Sequence, residues 1–254
     1  MRRLLSTLLL MAISAHGGPE AWEFRQGGIV RGPENEKKLA LEFTADEFTE
    51  GGSNILNQLA ARQAKASFFL TGRCLREPEH AALIKRIVTE GHYLGSHSDS
   101  HPLLCTWTGP KNTLVTREFF ENEMNRSIEV IEKFGVRRSD ALYFIPPYEW
   151  YNAEISKWSG EMGLRLINFT PGTRSNADYT EDGARNFASS KAILDSIKHQ
   201  DQKDGLNGFL LLMHLGVGPK RTDKMSDHIG ELIDYLRARG YKLVRVDELL
   251  SVKP

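Results

Sequence analysis

Short apolar runs alternate along the chain with longer stretches in which apolar residues recur every three or four positions. The runs are rich in Leu, Ile, Val and Phe, a composition typical of strands that are buried on both faces. The stretches between them predict helices with one buried face. The predicted strands are KLALEF (38–43), ASFFLTG (66–72), YLGSHS (93–98), ALYFI (141–145), LRLINF (164–169), GFLLLMHL (208–215) and YKLVRV (241–246).

Capping residues and glycines delimit the helices between these strands. Ser53, Pro78 and Thr116 suit the first turns of three helices, and Gly91, Gly135 and Gly163 suit helix ends. Strands alternating with helices indicate a parallel α/β fold. We therefore predict a single-domain α/β protein, a distorted or incomplete (β/α) barrel with about seven parallel strands, rather than an open sheet.

The first fifteen residues have the pattern of a secretory signal peptide. Arg2 and Arg3 precede a short apolar run from Leu4 to Ile13, and small residues follow it. A membrane anchor is the alternative, but the run is shorter than the roughly 20 residues that span a bilayer. We expect a signal peptide over 1–15, an N-terminal extension over 16–36, a catalytic domain over 37–254, and a periplasmic or extracellular location.

Charge and cysteine content limit the possible partners and cross-links. The chain has 254 residues, enough for a sizeable core, and its 33 basic residues balance its 33 acidic ones. Nothing in this balance points to a nucleic-acid partner, and no later segment is long and apolar enough to span a membrane. Cys74 and Cys105 are expected to be free buried thiols, with a disulfide as the alternative.

Unusual polar residues follow several predicted strands. In a parallel α/β fold the carboxyl ends of the strands meet at one edge, where the chemistry gathers. Asp46 and Glu47 follow the first strand, and His97 and His101 close the third. Histidines four residues apart can reach one metal, and a carboxylate added to them leaves open positions for water and substrate. The alternative is a polar loop that happens to hold two histidines.

Two further strand ends carry candidate residues. His214 is either a core histidine or a proton donor at the end of its strand. The loop PPYEWYN (146–152) either packs against the rim or offers aromatic rings to a sugar, while Glu149 within it reads as a surface charge. In the polar segment TPGTRSNAD (170–178), Arg174 or Asp178 is a candidate for the cleft.

From about Leu39 to Val246 the chain resembles the polysaccharide deacetylases, the fourth carbohydrate esterase family. Its "HSDSH" matches the family motif His-Ser/Thr-x-x-His, "KASFFLTG" its second strand, "FIPPYE" its Arg-x-Pro-Tyr loop and "LLLMHLG" its late histidine strand. The resemblance implies that His97 and His101 bind a metal, that the Tyr148 N–H binds an oxyanion and that His214 is the general acid. Pro147, Tyr148, Trp150 and Arg174 are the residues expected to contact substrate.

The chain departs from the family pattern at two places. The family motif Thr-Phe-Asp-Asp-Gly, with a catalytic base followed by a metal ligand, is replaced by "EFTADEFTEGG". The best-placed acidic pair makes Asp46 the base and Glu47 the ligand, with the reverse as the main rival. The arginine that orients the base is also missing near Ile145, and Arg174 is the candidate replacement.

The resemblance implies a metal-dependent hydrolase that removes acetyl groups from an acetylated poly- or oligosaccharide, as an N-acetyl amide or an O-acetyl ester. A metal-bound water would attack the acetyl carbonyl, with Asp46 as base and His214 as acid. Zn²⁺ is the expected metal; Co²⁺, Ni²⁺ and Fe²⁺ also suit two histidines and a carboxylate. The alternatives are a carbohydrate-binding barrel that has lost catalysis and a metal-dependent amidohydrolase acting on small molecules.

Overall fold

The computed structural model describes residues 21–109 and 111–251, so the predicted signal peptide lies outside the described residues. The strands are β1 (Glu23–Arg25), β2 (Gly28–Arg31), β3 (Lys38–Ala45), β4 (Ser67–Leu70), β5 (Tyr93–Ser96), β6 (Tyr143–Phe144), β7 (Arg165–Leu166), β8 (Leu210–His214) and β9 (Lys242–Leu243). The helices are α1 (Gly52–Ala61), α2 (Gly72–Arg76), α3 (Ala81–Thr89), α4 (Arg117–Glu132), α5 (Ala153–Glu161), α6 (Ser190–Asp204), α7 (Ile229–Ala238) and α8 (Val246–Leu249).

Seven strands form one parallel sheet in the order β7-β6-β5-β4-β3-β8, with β9 pairing the start of β3. This confirms the predicted incomplete barrel of about seven parallel strands. β1 and β2 form a separate antiparallel hairpin within the predicted N-terminal extension. The strand order places the carboxyl ends of β5, β3 and β8 along the same edge.

The central strand β3 is buried on both faces. Leu41, Phe43 and Ala45 pack in one apolar cluster with the buried faces of α1, α3, α6 and α7. Ala40 belongs to a second cluster, together with Leu210 and Leu212 of β8. Side chains alternate across a strand, so Glu42 and Thr44 share the side of Ala40. Burial on both sides explains why KLALEF is a nearly continuous apolar run.

Several local expectations need correction. The predicted last strand, 241–246, pairs only over Lys242–Leu243, because Val246 already begins α8 with its side chain in the core. The short helix α2, whose N-cap Thr71 accepts a hydrogen bond from the Cys74 N–H, was not predicted. Cys74 and Cys105 are both free and buried, as expected. No helix in the described ranges has the length and apolarity needed to cross a bilayer.

Candidate active site

The two histidines predicted to bind a metal face each other directly after β5. Their Nε2 atoms lie 3.2 Å apart. Two nitrogen ligands of one tetrahedral zinc, each at about 2.05 Å, lie roughly 3.3 Å apart. The His97 Nδ1 donates to the carbonyl of Ile145 at 2.8 Å, which leaves Nε2 with its lone pair free, as a metal ligand requires.

Burial keeps this pair neutral. It lowers the pKa of His97 to about 3, with nearby His101 adding to the effect, and it also lowers the pKa of His101. Imidazole binds a metal only in its neutral form, so both side chains are in the state that binding needs near neutral pH.

A buried carboxylate on α4 fixes the loop that carries the histidines. Glu123 accepts hydrogen bonds from the backbone N–H groups of Asp99 and Ser100, at 3.1 and 2.8 Å, and from the Ser100 hydroxyl at 3.0 Å. The loop needs this support because Ser98 and His101 both have positive φ angles, of 69° and 58°. Sequence reasoning missed Glu123, which looks like any other polar residue of its helix.

Asp46 lies beside the histidine pair, at the end of β3. Its Oδ2 is 3.8 Å from the His101 Nδ1, and the Thr71 hydroxyl donates to its Oδ1 at 2.9 Å. The Arg73 guanidinium donates hydrogen bonds to both carboxylate oxygens and forms a bidentate ion pair with Asp46. Burial alone would raise the pKa of Asp46, but the bonds from Arg73 and Thr71, together with His101, lower it below its usual value. Asp46 is therefore a carboxylate held in one orientation.

The arginine that orients Asp46 is Arg73 and not Arg174. Arg73 is the second residue of α2, directly after β4, which runs beside β3. Arg174 is exposed and does not line the cavity that contains Asp46; its backbone N–H donates to the Ser196 hydroxyl at 2.9 Å. The prediction that Arg174 orients the base and contacts substrate was therefore wrong, because Arg174 lies away from the cavity.

Glu47 is exposed, lines the same cavity and makes no hydrogen bond to another described residue. Across residues 21–109 and 111–251, no group of three His, Cys, Asp or Glu side chains is arranged to hold a metal. The histidine pair thus fits two positions of a divalent metal site, while a third ligand requires a carboxylate to turn toward it. Asp46 is held by Arg73 and Thr71, whereas Glu47 is free to turn.

His214, at the end of β8, is held by a carboxylate from a different segment. Asp178 accepts from the His214 Nδ1 at 2.7 Å and from its backbone N–H at 2.8 Å. Burial alone would lower the pKa of His214, but Asp178 and the nearby Glu149 raise it above its usual value. His214 is thus protonated at a higher pH than a free histidine, as a general acid should be. Asp178 is buried, contacts His214 and does not itself line the cavity that contains Asp46, so its expected place in the cleft needs correction.

The loop after β6 forms an aromatic wall. The Tyr148 ring lies 4.4 Å from the His101 ring, and Trp107 lies 5.3 Å from Tyr148 and 5.8 Å from Trp150, between ring centroids. Among the described residues, none accepts a hydrogen bond from the Tyr148 N–H, which leaves that donor available. Pro147 is buried and does not line the cavity. Sequence reasoning missed Trp107.

One cavity of about 850 Å³ lies between these elements. It contains the histidine pair, Asp46, His214 and the aromatic wall, so carboxyl-end residues of β5, β3 and β8 meet in one place. A cavity of this size, lined by rings and by a few converging polar groups, is typical of a ligand site. Neutral imidazoles, an oriented carboxylate and an imidazole whose pKa is raised are the groups that metal-assisted hydrolysis of an acyl group uses. The fold and the site therefore define a hydrolase of the α/β class.

Comparison with known proteins identifies the family. The sequence profile of the polysaccharide deacetylases matches residues 31–167, more than half of the chain, so the chain belongs to the polysaccharide deacetylase family, family 4 of the carbohydrate esterases. It is 24% identical over 234 residues to a peptidoglycan-N-acetylglucosamine deacetylase of Bacillus cereus. The aligned region covers 92% of this chain and 75% of that protein.

Two solved structures share the fold. Bacillus subtilis PdaA, described as a family 4 carbohydrate esterase, superposes with a TM-score of 0.71 at 23% identity, over 89% of this chain and 85% of that one. A Bacillus anthracis protein described as a pseudoenzyme of the same family superposes with a TM-score of 0.69 at 23% identity, over 91% of this chain and 71% of that one.

Replacement of Arg73 by alanine is expected to lower kcat for acetate release by roughly 10- to 100-fold while bound metal is retained, because Asp46, in its expected role of base, would no longer be oriented for proton transfer. Arg73→Lys should recover little of the lost activity, since an ammonium group cannot form a bidentate ion pair with both oxygens of Asp46. Arg174→Ala serves as the control and should behave like wild type. Equal losses of activity in the Arg73 and Arg174 variants would contradict the assignment.

Proposed function

We propose that this chain is a metal-dependent deacetylase of a glycan outside the cytoplasm, with peptidoglycan as the first substrate to test. The observation that carries the proposal is the meeting of the His97–His101 pair, oriented Asp46 and Asp178-bound His214 in one cavity. Membership of the family and the likeness to the Bacillus cereus enzyme support the substrate class. The periplasmic or extracellular location is proposed from the signal-like first fifteen residues.

His97, His101 and Glu47 would hold a divalent metal, with Zn²⁺ expected, and such an ion supplies Lewis-acid polarisation of the acetyl carbonyl and a lowered pKa for water. Asp46 accepts the proton of the attacking water, in the orientation that Arg73 fixes. The Tyr148 N–H donates to the oxygen that gains charge. His214, protonated and held by Asp178, gives its proton to the leaving atom. The aromatic wall stacks against sugar rings.

Acetate release from purified peptidoglycan and from N-acetylglucosamine oligosaccharides tests the proposal. We expect release by the protein as purified, loss of release after chelation, and recovery when Zn²⁺ or Co²⁺ is restored. Rates should increase with oligosaccharide length, because the aromatic wall extends beyond the reacting sugar. Activity that is independent of length would favour a small-molecule amidohydrolase, and absence of release on every acetylated glycan would contradict the proposal.

A carbohydrate-binding barrel without catalysis is the second candidate, and one observation favours it. If the Phe of the family motif Thr-Phe-Asp-Asp-Gly is matched to Phe43, its two aspartates fall on Thr44 and Ala45, which can be neither base nor anionic ligand. A pseudoenzyme is among the proteins with the same fold. Glycan binding that persists without acetate release, with metal present, would support this candidate.

A further inference from the structure

Glu149 has a backbone conformation that its residue type disfavours. It follows Tyr148 in the 3₁₀ turn Pro147–Glu149, and the two residues have φ angles of 53° and 59°, in the left-handed region that suits glycine. Two hydrogen bonds hold it there: its N–H donates to the Pro146 carbonyl at 3.0 Å, and the Asn168 side-chain amide donates to its carbonyl at 2.7 Å. Such strain at a site is a reason to ask what the side chain does.

The Glu149 side chain lines the cavity beside His214. Its carboxyl group makes no hydrogen bond or ion pair with any residue in the described part of the chain. The charged groups that act on it are His214, from β8, and Asp178, from the segment before α6. Burial, with Asp178 adding to it and His214 opposing it, raises its pKa to about 7. A half-buried acceptor that faces the cavity and has no partner among the described residues is suited to a partner from the substrate.

We propose that Glu149 binds the nitrogen of the N-acetyl group and thereby selects acetyl amides over acetyl esters. The inference rests on the proposed deacetylase function. His214 must reach the leaving atom to protonate it, so that atom lies next to His214, on the side of the cavity that Glu149 also lines. The amide N–H donates a hydrogen bond to the Glu149 carboxyl group, whereas an ester oxygen has no hydrogen to donate and is repelled by a carboxylate.

The balance of the reaction strengthens this preference. Water supplies the oxygen of the new C–O bond, the C–N bond breaks, and nitrogen leaves with the proton from His214, so the products are acetate and an amine. The amine takes up a further proton and becomes an ammonium group at neutral pH. A carboxylate beside this ammonium group forms a charge-assisted hydrogen bond with it. The alcohol released from an ester is uncharged and cannot form such a bond. Glu149 is therefore expected to bind deacetylated amino sugar more tightly than the acetylated form.

Two variants separate this role from a structural one. Glu149→Gln keeps the shape of the side chain and removes the negative charge, while Glu149→Gly removes the side chain and relieves the backbone, so at least one should fold. Glu231→Gln is the matched control, since Glu231 is an exposed carboxylate on α7 that pairs with Lys198 at 2.9 Å and does not line the cavity.

The experiment measures kcat/KM for acetate release from an N-acetylglucosamine oligosaccharide and from an O-acetylated xylo-oligosaccharide, together with the affinity for the fully deacetylated glucosamine oligosaccharide by calorimetry. We expect Glu149→Gly to lose about tenfold or more on the amide, and Glu149→Gln to lose less, because its side-chain oxygen still accepts a hydrogen bond. Both variants should change less than about threefold on the ester and should bind the amine about tenfold more weakly, because both lack the negative charge. The Glu231 variant should match wild type in all three measurements.

The outcomes distinguish this inference from the proposed function. If wild type releases acetate and the Glu149 variants leave both the amide-to-ester ratio and the amine affinity unchanged, the inference is overturned and deacetylation stands. If wild type releases no acetate, the proposed function falls, and the amine affinity alone decides: weaker binding in both variants supports recognition of nitrogen by Glu149, and unchanged binding overturns it.

Discussion

Replacement of His97 by alanine is expected to lower the affinity for a divalent metal by roughly 100-fold or more and to abolish acetate release. Loss of even an outer-shell partner of a ligand costs about 10- to 100-fold in affinity, and His97 would be a ligand itself. Its Nδ1 is already bonded to the Ile145 carbonyl, so its Nε2 is oriented before metal arrives. Elemental analysis of wild type and variant after dialysis against Zn²⁺, with acetate release on the same samples, measures both effects.

The same measurement separates the roles of the two carboxylates. Glu47→Ala is expected to lose metal, and Asp46→Ala to keep metal while losing acetate release, because Arg73 and Thr71 hold Asp46 in one orientation, which suits its proposed role as base. The reverse pattern would exchange the two roles. His199→Ala, at an exposed position on α6, is the matched histidine control and should keep both metal and activity. Unchanged metal content in His97→Ala would rule out the histidine pair as the metal site.

The part of the site that lies at strand ends was predictable from the sequence. Alternation of apolar runs with helices predicts parallel strands, and the carboxyl ends of parallel strands share one edge. An apolar run precedes each of four site residues: His97, His101, Asp46 and His214. Only the order of the strands was needed to predict that these side chains meet, and the resemblance also implied that order. The structure confirms the incomplete barrel and brings these four side chains to one cavity.

The partners of these residues were harder to predict, because nothing in the local sequence marks them. Arg73 lies 27 positions from Asp46 along the chain, and Glu123 lies 23 positions from Ser100. Both look like ordinary surface residues of helices until tertiary packing places them. Glu149 was interpreted as a surface charge because its neighbours are polar and aromatic, whereas the left-handed turn directs it to the cavity. A single sequence carries no signal for such pairings.

Glu42 is an ionisable residue at a fully buried position, where an apolar residue is expected. It lies in the middle of β3, fully buried, with Ser67 and Leu212 opposite it on the two neighbouring strands. Neither carboxyl oxygen has a hydrogen-bond partner among the described residues, and the Thr44 hydroxyl above it has none either. Burial therefore raises the pKa of Glu42 well above its usual value of 4.5, and the carboxyl group is held as the neutral acid.

Glu42→Met is expected to stabilise the protein, and by more at pH 8 than at pH 5. Methionine has a similar volume and removes an unpaired polar group, which is worth about 1–3 kcal/mol at pH 5. Above pH 4.5 the unfolded chain releases the Glu42 proton while the folded chain keeps it, so wild type loses about 1.4 kcal/mol of unfolding free energy per pH unit until the raised folded pKa is reached. The variant lacks this loss.

Urea unfolding of wild type and Glu42→Met at pH 5 and pH 8 measures the free energy of unfolding of each protein. The decisive quantity is how much that free energy changes between the two pH values in each protein. Glu129→Met, at an exposed position on α4, is the control for adding a methionine in place of a glutamate and should show a small difference that does not depend on pH. A gain for Glu42→Met that is equal at both pH values would mean that Glu42 is ionised in the folded protein, which requires a bound cation or a water chain beside its carboxylate. The pH dependence thus tells whether the barrel interior under the site is dry.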